Sequence, residues 1–307
     1  MTAFHEITSG LRFPEGPIAM PDGSIILVEI ERGTLTRVAA DGKQTIIAKL
    51  GGGPNGAAMG PNGKIYVCNN GGFEWSTHEG LLFPGHQPHD YKGGSIQVVD
   101  PETGKFETLY TKAGDVALRG PNDIVFDKHG GFYFTDHGKS RDRERDRTGV
   151  FYAKADGSSC KEIIFPLEGP NGIGLSPDHK RLYVAETFTG RVWAFDIAAP
   201  GVIAPAPGLL AHGGTLLVGL PDFNLLDSLA VDAGGYVCAA TIGNGGITAI
   251  SPDGKDVKHY PLPDPLTTNI CFGGKDLRTA YATLSGTGKL VSFEWPRPGL
   301  PLEYLNT

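Results

Sequence analysis

Six residues of this chain share one register and one chemistry: Glu15, Asn55, Asn122, Asn171, Asp227 and Asn269. Each ends in a carboxylate or amide oxygen and opens a short apolar run. Seven residues after each comes a turn position, at Asp22, Asn62, His129, Asp178, Gly234 and Asp276. A single Asn or Asp beside a turn is ordinary local chemistry, because its side chain bonds nearby backbone. A column of such residues, with two acids among them, needs another cause. Converging oxygens repel, or leave their dipoles unpaired, unless something positive sits between them. Hard divalent cations take such mixed carboxylate and amide sets. Ca2+ is the expected ion, with Mg2+, Mn2+ or Zn2+ as alternatives in a site that keeps positions open for water. Glu15, Asn171 and Asp227 are the expected metal ligands, since two carboxylates balance a divalent charge. Asn55 is a further candidate, facing a substrate.

Positioning six such side chains requires six copies of one local structure, and the sequence supplies them. "PEGPIAMPDGSIILVEI" from Pro14, "PNGAAMGPNGKIYVCNN" from Pro54 and "PNDIVFDKHGGFYFTDH" from Pro121 align with one another. So do "PNGIGLSPDHKRLYVAE" from Pro170, "LDSLAVDAGGYVCAATI" from Leu226 and "TNICFGGKDLRTAYATL" from Thr268. Each reads as a polar residue, a short strand, a turn and a second alternating strand. Further strands such as "GRVWAFDI" lie between them, with DG, NG and TG steps marking hairpins. Most copies are about 40 to 55 residues apart, room for the four strands of a propeller blade. The expected fold is all-β: a six-bladed β-propeller with a metal site in its central channel, one domain over residues 1–307. "AFHEITSG" is expected to pair with "KLVSFEWP" and close the ring. A β-sandwich would use the same strands but leaves the period unexplained. In a propeller the first strand of each blade lines the channel, so the polar column becomes a ring around the axis.

Composition agrees with many short strands and tight turns: 45 Gly and 23 Pro in 307 residues, 40% apolar. A net charge of −7 argues against a nucleic-acid surface, which needs a basic face to displace counterions. No apolar stretch approaches a membrane span, and "MTAFHEITSG" carries no signal-peptide pattern. The cysteines, Cys68, Cys160, Cys238 and Cys271, form no CxxC pair and read as small apolar residues rather than a disulfide or zinc site. A reducing cytoplasm is the expected location.

Three other features bear on the ring. A second polar column fourteen residues on, at Glu29, Asn69 and Asp136, with Ala185, Thr241 and Thr283 in the other blades, is expected to support the ring or fill the channel. His137 beside it is a substrate-facing candidate. "GGFEWSTHEGLLFPGHQPHDYKGG", ending at Gly94, is a long aromatic insertion in the second blade, where loops of this length often serve as lids. As a lid it would make the pocket suit a less polar substrate. "GKSRDRERDRTG", from Gly138, alternates in sign and reads as a solvated loop with local ion pairs.

At "FPEGP" (Phe13–Pro17), "RGPNDIVFD" (Arg119–Asp127), "GPNGIGLSPD" (Gly169–Asp178) and "LLDSLAVDAGG" (Leu225–Gly235) the chain resembles the senescence-marker-protein, gluconolactonase and luciferin-regenerating-enzyme family of six-bladed propellers. The resemblance runs along essentially the whole chain, and its specificity lies in the order and shared register of these motifs. It implies a divalent metal on Glu15, Asn171 and Asp227, with Asn122 facing the substrate or completing the metal shell. Arg119 is similar to a substrate-binding arginine of the sugar lactonases, one residue farther from its Asn than in that pattern. Ser228 resembles the Ser of an Asp-Ser pair in bacterial lactonases. The function implied is metal-dependent opening of a lactone ring, an ester hydrolysis with Asp227 as general base and His137 as the alternative. A small-molecule lactone is then the partner. Two rivals stand beside it: a phosphotriesterase of the diisopropyl-fluorophosphatase kind, and a calcium-binding propeller without chemistry.

Overall fold

The computed structural model describes residues 3–205 and 212–307. Six antiparallel sheets follow one another around an axis. Blade 1 begins with Pro14–Ala19, blade 2 with Pro54–Met59 and blade 3 with Pro121–Phe126. Blades 4, 5 and 6 begin with Pro170–Leu175, Leu225–Val231 and Thr267–Gly273. These six strands line the channel, and each blade then meanders outward through three more, with a fifth short strand, Val202–Ile203, added in blade 4. The outermost strand of blade 6 is His5–Thr8, paired antiparallel with Lys289–Glu294. The amino-terminal segment therefore closes the ring as the sequence led us to expect.

Period-two alternation gives every strand two faces, and in the inner strands both are buried, because each sheet lies between two others, whereas outer strands such as Phe106–Tyr110 and Val257–Pro261 are largely exposed. The apolar core is accordingly divided among the clefts between blades. Ile18 and Ile26 meet Met59 and Ile65 between blades 1 and 2. Tyr66 and Cys68 meet Phe126 and Phe132 between blades 2 and 3. The same holds for blades 3 and 4, 4 and 5, 5 and 6, and for the seam between 6 and 1. Each fully buried Leu, Ile or Phe contributes about 1.5–3 kcal/mol, so the clefts hold the molecule together and leave the axis free for polar side chains.

At the face away from the ring the channel is closed. Residues after Glu294 cross the axis there: Arg297 bonds the buried Asp232, Gly299 bridges to Asp232, and Leu300 N donates to Val231 O. Tyr304 then packs edge-on to Phe126 in blade 3. Between this segment and the ring lies a small, largely apolar cavity that includes Asp123, Ile173, Leu229 and Leu302. The four cysteines are free thiols. No helix among the described residues is long and apolar enough to cross a membrane.

Candidate active site on the propeller axis

The channel strands come shoulder to shoulder just beneath the polar column. A Cβ added to Gly16 would lie 2.5 Å from the Asn55 carbonyl, and one on Gly172 would lie 2.6 Å from Leu229 N and 2.7 Å from Asp227 O. Only glycine admits that approach. This is the physical reason for the EG and NG pairs that open the repeats.

Six polar side chains are thereby gathered at one end of the axis. Glu15 is 2% exposed, Asn55, Asn122, Asn171 and Asn269 are also buried, and Asp227 keeps a partly open face. Glu15 Oε2 accepts hydrogen bonds from Asn269 Nδ2 at 2.6 Å and from Gly16 N at 2.7 Å. Its other oxygen, Oε1, is buried without a partner, and so is Asn122 Oδ1. Asn171 donates Nδ2 to Thr187 Oγ1 at 3.0 Å, which turns its carbonyl oxygen the other way, with Ser228 Oγ 3.5 Å from it. Ser228 also gives its backbone N–H to Asp227 Oδ1 at 3.0 Å.

The charges explain what this arrangement lacks. Burial raises the Glu15 carboxyl well above the usual range, and the charge of Asp227 raises it further against the bonds from Asn269 and Gly16. Burial pushes Asp227 up to about 7, opposed by Asn171 and the Ser228 amide and assisted by the charge of Asp123. Two carboxylates that resist ionisation together, beside unpartnered oxygens, are groups that a positive charge between them would stabilise. Among the described residues no three His, Cys, Asp or Glu side chains cluster as a metal site. The ring instead mixes two carboxylates with neutral amides, a wholly oxygen donor set that fits a hard cation.

Asp123 belongs to this picture and escaped the sequence reading. It occupies the position after Asn122 where blades 1, 2 and 4 have glycine. Its Oδ1 accepts Ile124 N at 2.9 Å and its Oδ2 accepts Ile173 N at 3.1 Å, in the strand that carries Asn171. Burial pushes its carboxyl up to about 7, with the Ile173, Ile124 and Leu229 amides opposing the rise. One side chain thus ties blade 3 to blades 4 and 5 directly below the ring. The visible signal was an acid where three of the other five blades have glycine.

The second polar column supports the ring, and it does so through backbone amides. Glu29 accepts Arg12 N, Asn69 accepts Gly53 N, and Asp136 accepts the N–H groups of Arg119 and Gly120. In blade 4 the matching residue is Glu186, which accepts Glu168 N, and not Ala185. These side chains bind the loops that lead into the channel strands, so they fix the ring through backbone.

Arg119 itself is exposed and holds the mouth loops by its main chain, receiving Tyr91 OH on its carbonyl. His137 packs its ring against Phe188, with centroids 5.2 Å apart, and its Nδ1 is buried without a partner. Burial lowers it to about 4, with Lys139 and Arg145 adding to the effect, so it is neutral at physiological pH.

The insertion of blade 2 lies over the mouth. Its hairpin, Trp75–His78 paired with Leu81–Pro84, reaches past blade 1, where Leu82 N donates to Gly286 O in blade 6 at 2.9 Å. Leu82 packs with Phe13, Ile30 and Leu266, and Phe73, Trp75, Phe83 and Ile242 join that cluster. On its return Gln87 N donates to Ser140 O in blade 3. It is a strap across the ring end of the channel.

Residues 13–286 match the family described as the SMP-30/Gluconolactonase/LRE-like region. Among curated proteins the chain is 27% identical over 304 residues to a gluconolactonase of Zymomonas mobilis, covering 89% of this chain and 77% of that protein. It is 28% identical over 282 residues to lactonase drp35 of Staphylococcus haemolyticus, covering 90% and 76%. Among solved structures it superposes with a TM-score of 0.75 on regucalcin from Agrobacterium tumefaciens, described as a calcium-binding protein, at 17% identity over 97% of this chain and 95% of that one. That last likeness is one of fold.

Proposed function

We propose, for a chain that belongs to the SMP-30/Gluconolactonase/LRE-like family, that the axial ring opens lactones by hydrolysis with the help of one divalent cation, calcium by preference. The observation that carries this reading is Glu15, whose Oε1 is buried and unpartnered and whose carboxyl is raised by burial and by the charge of Asp227. The named lactonases among its relatives support the same chemistry. A cation held by Glu15, Asn171 and Asp227 would polarise the lactone carbonyl and stabilise the charge that develops on its oxygen.

The protein's own groups supply the rest. Asp227, with its partly open face, takes a proton from the attacking water as the new carbon–oxygen bond forms. As the ring carbon–oxygen bond breaks, the leaving alkoxide regains that proton, and the product is a hydroxy acid that releases one proton at neutral pH. Ser228 fixes the carboxylate of Asp227 through its amide. Asn122 and Asn55, buried at the ring, orient the substrate by their amide groups. His137 is the weaker candidate for the base, because its ring is turned against Phe188.

The test is a lactone panel assayed by acid release in chelator, then with Ca2+, Mg2+, Mn2+ and Zn2+ restored separately. Turnover that vanishes in chelator and returns with one ion supports the reading. Turnover indifferent to chelator contradicts the metal. Hydrolysis of a fluorophosphate alone would make the protein a phosphotriesterase, and one bound cation without any turnover would make it a binding propeller.

A further inference from the structure

Lys139 is 1% exposed, and burying an ammonium is costly unless its protons are all used. Its Nζ donates to Gly72 O at 2.6 Å and to Asn70 Oδ1 at 3.2 Å, both at the root of the strap. The same nitrogen stands 4.1 Å from the centroid of Phe73 and 5.6 Å from that of Tyr91, near the two ends of the strap. Asn70 Oδ1 also takes Gly72 N at 2.8 Å. The Nζ of Lys139, from the mouth loop of blade 3, therefore clamps the base of a segment that leaves blade 2.

What the clamp fixes is an aromatic edge. Phe73 and Trp75 meet with centroids 6.0 Å apart, and Trp75 meets Phe13 at 5.1 Å. Phe13 is two residues from Glu15, and Leu266, in the same cluster, is three from Asn269. The apolar surface thus begins where the polar ring ends. Across the mouth, blade 4 presents Phe188, 39% exposed, with the Arg145 guanidinium 3.7 Å from its ring centre.

We infer that the strap sets substrate choice: its Phe73–Trp75 edge, latched by Lys139, is an apolar wall that takes the hydrocarbon substituent of a lactone seated on the ring. This rests on the lactonase reading and goes beyond it. Lys139 is a positioning residue here, acting through Gly72, and Trp75 makes the contact. A polyhydroxylated lactone would have to strip its hydroxyls of water against this wall, whereas an aryl or alkyl substituent gains by burial.

The experiment compares a benzo-fused δ-lactone with a polyhydroxylated six-membered lactone, as kcat and KM, in the wild type, Lys139→Met and Trp75→Ala. Binding of the corresponding lactams, measured by calorimetry, accompanies the kinetics. The expected wild type prefers the aryl compound. Both variants lose about tenfold or more of that preference, read in KM and in lactam affinity. An unchanged preference in both variants, or a wild type that favours the polar lactam, overturns the inference. If Lys139→Met does not fold, Trp75→Ala carries the comparison alone. If the wild type hydrolyses neither lactone, the lactonase reading fails, and the lactam titrations still decide the strap's role.

Discussion

Asn269 donates its side-chain amide to Glu15 Oε2 at 2.6 Å, across the seam where the last blade meets the first. The two residues are 254 positions apart in sequence. The bond closes the ring of blades at the level of the ring of oxygens, and it leaves Glu15 Oε1 as the atom without a partner. One hydrogen bond thus serves both the seam between blades 6 and 1 and the site.

Removing that bond should loosen the site before it loosens the fold. Asn269→Ala is expected to weaken divalent-cation affinity by about 10- to 100-fold, the worth of a hydrogen bond to a charged group. Calorimetric titration of the chelator-treated variant measures it. An affinity equal to wild type would show that Glu15 needs no such support.

The pH dependence of stability follows from the raised carboxyls. Asp227 stands at about 7 against an ordinary 3.8, and Glu15 is raised as well. The fold therefore binds more protons than the unfolded chain between about pH 4 and 7, and stability falls as pH rises through that window. In chelator the melting temperature should be a few degrees lower at pH 8 than at pH 5. Calcium should restore it at pH 8, by about 2.7 kcal/mol at one hundred times the dissociation constant, and should do little at pH 4.

Asp123→Asn replaces an all-acceptor group by one that carries N–H donors, facing the amides of Ile173 and Ile124. Leaving a buried amide unmatched costs about 1–3 kcal/mol. Urea unfolding should show a loss of that size, together with weaker cation binding, because the Ile173 strand also carries Asn171. Full stability in this variant would contradict the stapling role.

Gly172→Ala is expected to cost about 1–3 kcal/mol by overpacking, since its Cβ would meet Asp227 O and Leu229 N, which are backbone atoms. Thermal melts with and without calcium distinguish a general loss from one centred on Asp227. The latter would abolish the calcium-dependent increment.

The six ring positions and the blade count were legible because every blade repeats the same solution at the channel. Other features were less so, for local reasons. A fixed count of fourteen residues reaches Glu29, Asn69 and Asp136, but the blade 4 hairpin is one residue longer. Pro170 pairs with Glu186 there, where Pro14 pairs with Glu29, and the count falls on Ala185. How the column supports the ring was not legible either, since its bonds run to backbone amides that a sequence does not display. Asp123 was hidden in a motif whose Asn drew the attention. The strap's aromatic character could be read, whereas its path to Gly286 depends on contacts between distant blades. Lys139 sat in an alternating charge run that otherwise behaves as a solvated loop, with Arg141 paired to Asp146 and Arg147 to Glu168.

The central claim is that the oxygens of Glu15, Asn171 and Asp227 hold one divalent cation on the axis. Calcium titration of the chelator-stripped protein, in the wild type and in Glu15→Gln and Asp227→Asn, tests it most directly. The expected result is one site per chain in the wild type, with affinity falling about 100-fold or more in Glu15→Gln and in Asp227→Asn, as loss of a buried charged ligand requires. A wild type that takes up no divalent cation, or variants that bind it as tightly as the wild type, would contradict the account.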